Sequence, residues 1–154
     1  MSYAVIEAAA QDLLQALDRF GNDDVTLGDF RVLDTGKNTH YAVLLPGPFE
    51  SRGDGDFGQK RHVWTLYVKV FERYVGDGSE WSNLAATRQD VIDTFGANPT
   101  MGGVDGVTDV RVDRGGEVVS IYERGNPETP QFLQQQVTVR VWETESYAGS
   151  GEFA

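Results

Sequence analysis

Apolar residues near the start of the chain recur at spacings of three and four, the period of one face of an amphipathic helix. Ser2 is a suitable N-cap, and Gly21 followed by Asn22 is a typical stop signal. The pattern predicts a first helix from about Tyr3 to Phe20. Its apolar stripe consists of Val5, Ile6, Ala9, Ala10, Leu13, Leu14, Leu17 and Phe20.

Three strand patterns follow this helix. The segments FRVLD (30–34) and THYAVLLP (39–46) are typical of a strand pair, because turn-forming residues separate them. The segment HVWTLYVKVFERYV (62–75) is rich in β-branched and aromatic residues and has no internal Gly or Pro. It would span about 45 Å and is apolar on both faces. We therefore expect this strand to project beyond its own core or to be covered on both sides.

Between the second and third strand patterns lie sixteen residues, 46–61, with no helical or strand period. Structureless connections longer than about 12–15 residues are usually functional or disordered. The sequence therefore predicts an extended loop over 46–61. Its side chains include two aromatic residues, Phe49 and Phe57, and three cations, Arg52, Lys60 and Arg61.

A second helical period appears between residues 84 and 95. Ser79 or Ser82 is a candidate N-cap, and Gly96 with the Asn98–Pro99 pair provides the stop. The residues that carry the period are Leu84, Arg88, Val91, Ile92 and Phe95.

The last third of the chain contains three strand candidates, at 107–113, 117–124 and 136–145. The Gly115–Gly116 pair between the first two predicts a hairpin. In the third, Val137, Val139 and Val141 alternate with Thr138, Arg140 and Trp142, which predicts one buried face. Residues 147–154 are predicted to form a flexible C-terminal tail.

The order of elements predicts an α+β fold, an antiparallel sheet with two helices packed on one face. A length of 154 residues favours a single domain, which we place at 1–146 with the extended loop 46–61 inside it. The start of the chain lacks a basic segment, and no apolar run is long enough for a bilayer. We therefore expect a soluble protein without a membrane segment.

Charge and composition exclude several kinds of site. The net charge of −11 disfavours tight binding to nucleic acid through phosphate contacts, and the absence of cysteine excludes disulfides and thiolate chemistry. High negative charge is ordinarily explained by solubility, although it also suits a surface that DNA passes without binding.

No sequence motif for catalysis or metal binding stands out. Asp54–Gly55–Asp56 resembles the start of a calcium loop but lacks its later glycine and glutamate, and His40 and His62 match no metal-ligand spacing. A hydrolase with paired carboxylates stays open as an alternative, because such residues need only converge in space. We predict no catalytic residue, no cofactor-binding residue and no metal ligand.

The order of elements resembles that of the small tail-terminator and neck (head–tail joining) proteins of long-tailed bacteriophages. The resemblance extends from about Ser2 to Glu145. It is carried by an amphipathic helix, the long strand WTLYVKVF, the helix LAATRQDVIDTF with its L-x-x-x-R-x-x-V-I pattern, the Asn-Pro stop, and the closing strand TVRVWE.

This resemblance implies a ring-forming subunit, usually of a hexamer, that is made in the host cytoplasm and resides in the virion. The ring would cap the tail tube, stop its polymerisation and dock to the neck or connector proteins, while DNA passes through the lumen without specific binding. No catalytic residue or cofactor is implied.

The long loop then has a role, since it could reach a neighbouring subunit. Phe49 and Phe57 would be its apolar anchors, and Arg52, Lys60 and Arg61 would meet acidic patches of the neighbour. The alternative is a mobile surface loop without a partner.

Other functions stay open at this point. The chain could be a different neck component, such as a head–tail connector or head-closure protein. A small α+β enzyme or ligand-binding domain would instead have a deep pocket lined by Trp64 and Trp142. An adaptor or immunity-type protein would use its acidity to bind a basic partner.

Overall fold

The computed structural model describes residues 2–20, 24–28, 40–52, 59–113, 115–122, 128 and 130–146. Within these ranges the chain forms two helices and one sheet of six strands. Their bounds are α1 Tyr3–Gln15, β1 Val25–Leu27, β2 His40–Arg52, β3 Gln59–Arg73, α2 Ser79–Gly96, β4 Val107–Asp113, β5 Val119–Tyr122 and β6 Pro130–Ser146.

The strands lie in the order β1-β2-β3-β6-β4, and β5 also pairs with β6. Only β1 pairs in parallel, with β2; the other pairs among the described strands are antiparallel. Both helices pack on one face of this sheet, which we call the helix face; the opposite face is the open face. The predicted α+β fold, with an antiparallel sheet and two helices on one face, is confirmed.

The core lies between the helices and the sheet, and the alternation of apolar residues along each strand explains why. The fully buried Leu66 and Val68 of β3 and Val137, Val139 and Val141 of β6 point to the helix face. The helices contribute Ile6, Ala10, Leu14, Leu84, Val91 and Phe95 to the same cluster. The predicted buried face of the last strand is therefore confirmed.

The first helix is shorter than its apolar stripe predicts. It ends at Gln15 and not at Phe20. The Leu17 N–H bonds to the carbonyl of Leu14, and the Phe20 N–H bonds to that of Leu17, so the chain continues as tight turns. Phe20 is still buried in the core, and this explains why the apolar spacing outlasts the helix.

The predicted loop 46–61 is wrong in its bounds, because β2 continues to Arg52 and β3 begins at Gln59. One extra residue of β2 forms a bulge between Pro46 and Phe49. Pro46 and Pro48 come after Leu44, the last residue of β2 that pairs with β1. Their missing backbone N–H groups therefore remove no hydrogen bond between the described strands. The Pro and Gly residues therefore mark a bulged edge.

The predicted hairpin at 114–116 is also wrong. β4 and β5 do not pair with each other; they follow one another along the same edge of β6. The Gly116 N–H donates to the Gln136 carbonyl at 3.0 Å, and the Gln135 side chain donates to the Gly116 carbonyl at 2.6 Å. The glycines therefore interrupt one edge strand without reversing the chain.

Other strand predictions have mixed outcomes. β4 has the predicted bounds, whereas β6 begins at Pro130, six residues earlier than predicted. The segment 30–34, the turn that follows it, and the tail 147–154 lie outside the described residues. Among the described residues, no helix is long and apolar enough to cross a bilayer.

Candidate assembly surface

The sheet is much longer than the helices that cover it. The 15 residues of β3 span about 50 Å, whereas the 18 residues of α2 span about 27 Å. We define the arm as the part of the sheet beyond the row Pro46–Leu66–Val139–Val112, which comprises residues 47–52, 59–65, 107–111 and 140–146. At about 3.3 Å per residue, the arm extends some 23 Å past this row.

A close contact between neighbouring strands fixes the base of the arm. A Cβ added to Gly47 would lie 2.7 Å from Cγ2 of Thr65 and 3.0 Å from Cε2 of Tyr67. Only glycine leaves room for β2 to pack this closely on β3 at the bulge. The bulge therefore sets the direction in which β2 enters the arm.

On the helix face of the arm, three rings form a continuous plate that we call the aromatic plate: Phe49, His62 and Trp64. The centroid of the Phe49 ring lies 4.3 Å from that of Trp64 and 5.5 Å from that of His62. The Trp64 Nε1–H donates to Oε1 of Glu143 at 3.1 Å. Glu143 is only 4% exposed, so the plate is anchored on a buried carboxylate. Phe49 is 49% exposed, so its ring is accessible from solvent.

The turn after α2 supports this plate from the side. The Thr144 N–H donates to the carbonyl of Gly106 at 2.9 Å, and a Cβ on Gly106 would lie 3.6 Å from Cγ of Glu143. Gly106 has a φ of +89°, a conformation that favours glycine. The turn therefore covers Glu143 and fixes the carboxylate that Trp64 binds.

On the open face of the arm, the centre of the surface is Trp142. The guanidinium of Arg111 lies 4.8 Å from the centroid of the Trp142 ring, and its Nε–H donates to Oδ2 of Asp109 at 3.0 Å. A groove runs beside the ring, lined by Glu50, Val63, Thr65, Arg140 and Trp142. No helix of the described residues packs on this face.

Two pairs of arginines are direct cross-strand neighbours in the arm. Arg111 of β4 is opposite Arg140 of β6, and Arg52 of β2 is opposite Arg61 of β3. Like charges that face each other across strands, as those of Arg111 and Arg140 do, destabilise a sheet. Arg61 and Arg140 are exposed. The carboxylates of Glu50, Asp109 and Asp113 lie beside these arginines, so the open face presents charges of both signs.

The structure separates the residues predicted from sequence to contact a neighbour. Phe49 is on the helix face, and Lys60 shares the register of that face because it lies two residues before His62. Arg61 belongs to the open face. Arg52 is within β2 but its side chain is outside the described part, and Phe57 is outside the described residues altogether.

The deep pocket that a ligand-binding domain would place between Trp64 and Trp142 does not form. Trp64 packs against the core on the helix face, and Trp142 lies on the open face. The two indoles are therefore on opposite sides of one sheet.

The two histidines are apart and serve different contacts. His40 forms a hydrogen bond through Nδ1 to Oε2 of Glu72, a carboxylate that is 1% exposed, whereas His62 belongs to the aromatic plate. Asp54 and Asp56 lie outside the described residues. Within the described ranges, no group of three or more His, Asp or Glu side chains could hold a metal ion.

Sequence reasoning missed the open-face residues Arg111, Arg140 and Trp142 as members of one surface. Their alternation within β4 and β6 is visible in the sequence, but it is shared by every solvated strand face. Their meeting depends on the register between strands that are about thirty positions apart. No local signal in the chain specifies this register.

No protein-family model matches the chain, and no curated protein matches it in sequence. Among solved structures, a chain in the virion of a native gene transfer agent (GTA) particle has a TM-score of 0.59 and 17% sequence identity. The match covers 93% of this chain and 99% of that chain. A second solved chain reaches a TM-score of 0.46 at 20% identity, with 92% of this chain and 96% of that one covered. The first match shows a shared fold over nearly the full length of both chains.

Proposed function

We propose that this chain is a structural protein of a virion, and that within the virion it is the tail terminator. In this role copies of the chain form a ring, a hexamer, that caps the finished tail tube and docks it to the neck. The observation that carries the proposal is the arm. The strands β2, β3 and β6 extend some 23 Å beyond the row Pro46–Leu66–Val139, and past Trp64 and Val141 their described residues add nothing to the core cluster.

The surfaces of the arm suit contacts with other protein chains. Aromatic and arginine side chains are enriched at protein interfaces, whereas most charged residues are depleted there. The arm has an aromatic plate with a half-exposed Phe49 on one face and a tryptophan with arginines on the other. Because the plate is anchored by Glu143, it would lose little side-chain freedom when a partner binds.

The edge of the arm also favours a closed assembly over open-ended strand addition. Pro46 and Pro48 lie at the bulge of β2, past the residues that pair with β1. Proline on an edge prevents regular pairing with another strand. Neighbouring copies would therefore contact the arm through side chains, which permits a ring of defined size.

The comparison with known structures supports a virion component. The matched chain comes from the virion of a gene transfer agent particle, and the match includes 99% of it. The sequence resemblance to tail-terminator and neck proteins concerns virion components as well. The partners we propose are the tail tube protein and the neck or connector proteins, with DNA passing through the lumen.

The first test is the mass and shape of the purified protein. Native mass spectrometry is expected to give a closed oligomer, and negative-stain microscopy a ring with an open centre. A chain that stays monomeric both alone and with isolated tail tubes would contradict the ring.

A second test separates the terminator from another neck component. Particles assembled without this chain are expected to have tail tubes of uncontrolled length, since nothing would stop polymerisation. Tails of normal length that fail to join heads would instead indicate a head–tail connector or head-closure protein. Gold labelling of the chain in intact virions should place it at the head-proximal end of the tail.

A further inference from the structure

The charges on the open face of the arm are ordered in rows that run across the strands. One row contains two carboxylates, and we call it the acidic row. It consists of Glu50, Val63, Trp142 and Asp109. The next row contains two arginines, and we call it the basic row. It consists of Thr65, Arg140 and Arg111. Side chains on one face recur every second residue, so the two rows lie about 7 Å apart.

The alternation of sign continues on both sides of these two rows. Arg61 lies in the row beyond the acidic row, towards the tip of the arm. Asp113 lies in the row beyond the basic row, towards the body of the protein. The charged side chains of all four rows are exposed or half-exposed. Along the strands the open face therefore presents positive, negative, positive and negative rows in turn.

We propose that this face docks the same face of a second copy, about a two-fold axis that runs across the strands between the acidic and the basic row. The acidic row of each copy then lies over the basic row of the other. Asp109 of one copy meets Arg111 of the second copy, and the same contact occurs again on the other side of the axis. Such an interface uses one patch on both copies and requires that the patch be complementary to itself.

The order of the rows selects this arrangement over other two-fold contacts of the same face. An axis along the strands would place the acidic row on the acidic row and the basic row on the basic row. Like charges that face each other across an interface are costly. An axis between any other two neighbouring rows would match fewer of the four rows with a row of opposite charge.

The relief of the surface agrees with the same axis. Trp142 stands between two grooves, and the one of about 300 Å³ is lined by Arg111, Val112, Asp113, Thr138, Arg140 and Trp142. The two-fold rotation brings Trp142 of one copy over this groove, beside Arg140 of the second copy. Tryptophan and arginine are the side chains most enriched at the centres of protein interfaces.

The ion pair within each copy is compatible with the contact. Arg111 donates through Nε to Oδ2 of Asp109 at 3.0 Å, and the two side chains are 71% and 43% exposed. An exposed pair of this kind contributes little to stability by itself, whereas a network of several charges contributes more. The two-fold contact joins the pairs of both copies into one network of four alternating charges.

The area of the contact indicates its strength. Four rows at about 7 Å and four strands at about 4.8 Å cover some 500 Å² of each copy. A total of about 1,000 Å² is at the lower limit for a specific interface, so we expect a weak and reversible contact.

This contact goes beyond the proposed function, because it uses the face of the arm opposite to the aromatic plate and does not require a ring. It doubles whatever species the chain otherwise forms: a monomer becomes a dimer, and a ring becomes a pair of rings. The mass of the species is therefore the readout.

The test exchanges charges across the axis. Asp109→Arg places cations opposite Arg111 of the second copy, and Arg111→Asp places carboxylates opposite Asp109 of the second copy. Each variant alone should raise the dissociation constant at least tenfold and halve the mass in sedimentation velocity. An equimolar mixture of the two variants should recover the wild-type mass, because every contact between them joins opposite charges.

Two further variants control for net charge. A chain with both Asp109→Arg and Arg111→Asp has the wild-type net charge and complementary contacts, so it should keep the wild-type mass. Asp12→Arg changes the net charge as much as Asp109→Arg does, but Asp12 is exposed on α1, on the other side of the sheet. This variant should also keep the wild-type mass. Far-UV circular dichroism and Tm verify that each variant is folded.

The outcomes separate the contact from the function. A wild type whose species are not doubled, or single variants with the wild-type mass, would overturn the contact and leave the terminator role intact. A mixture that stays unpaired would overturn the two-fold arrangement. If the wild type were unpaired but Asp109→Arg lost binding to isolated tail tubes, the face would belong to the tube protein instead. Dimers that never form a ring, alone or on tail tubes, would overturn the proposed function and leave the contact intact.

Discussion

Phe49 lies against Trp64 with 4.3 Å between the ring centroids and 43° between the ring planes, although the two residues belong to different strands. Trp64 touches the core cluster, whereas Phe49 is 49% exposed. The pair therefore connects the interior of the protein to its accessible surface.

We expect Phe49→Ala to impair assembly much more than folding. Half of the Phe49 side chain is exposed, so the free energy of unfolding should fall by only about 0.5–1.5 kcal/mol, the usual value of an aromatic pair. Loss of the upper surface of the aromatic plate should weaken the oligomer at least tenfold in sedimentation velocity. Trp81→Ala is the control, because Trp81 is 51% exposed but lies on α2, away from the arm.

The result would contradict a role of the plate in assembly if both variants gave the same oligomer mass. Phe49→Leu retains an apolar side chain without the ring. An intermediate loss in this variant would indicate that ring stacking, and not only apolar area, contributes to the contact.

The parts of the fold that the sequence predicts are those that depend on local periodicity. α2 and β4 are found where their patterns place them, and Val137, Val139 and Val141 are buried on one face. In each case the buried residues are within two to four positions of each other, so the local sequence pattern is enough to predict the element and its buried face.

The parts that the sequence did not predict depend on distant partners. Gly47 is part of a strand because Thr65 packs against it, and Gly116 continues an edge because Gln136 accepts its N–H. In isolation both glycines are typical of loops or turns. The arginine pairs could not be predicted from the sequence either, since their proximity depends on the register of β4 on β6 and of β2 on β3.

Gly47→Ala should destabilise the base of the arm. The new methyl group would lie 2.7 Å from Cγ2 of Thr65 and must displace it, so we expect a loss of about 1–3 kcal/mol in urea denaturation. Adding Thr65→Ser removes the crowded methyl and should recover part of this loss. Gly96→Ala is a control, because nothing lies within 4 Å of its added Cβ.

Equal stability of Gly47→Ala and Gly96→Ala would show that the bulge can relax without cost. If Thr65→Ser gave no recovery in the double variant, the crowding would have to come mainly from the Cβ of residue 65 and from Cε2 of Tyr67, both at 3.0 Å.

The contact between His40 and Glu72 should stabilise the junction of β2 and β3. Glu72 is 1% exposed, and its Oε2 forms a hydrogen bond with Nδ1 of His40. His40→Ala leaves this carboxylate buried without that partner, so the free energy of unfolding should fall by about 1.5–3 kcal/mol. Glu72→Gln in the His40→Ala background removes the buried charge and should recover part of the loss. Additive effects of the two substitutions in a double-mutant cycle would contradict coupling between them.

The start of α2 should weaken at low pH because of Asp77. Ser79 Oγ–H and N–H both donate to Oδ1 of Asp77 and hold the pKa of its carboxyl below the usual value of 3.8. A carboxyl with a depressed pKa in the folded state stabilises it at pH values above 3.8, and this contribution is lost as the pH falls through the folded-state pKa. Hydrogen exchange should therefore show greater protection of the first turn of α2 in the wild type than in Asp77→Ala at pH 6. The difference should disappear as the pH falls below the folded-state pKa of Asp77.

Ser79→Ala retains the backbone N–H donor and should lose only part of the protection. An unchanged difference between wild type and Asp77→Ala at low pH would mean that the Asp77 charge does not contribute.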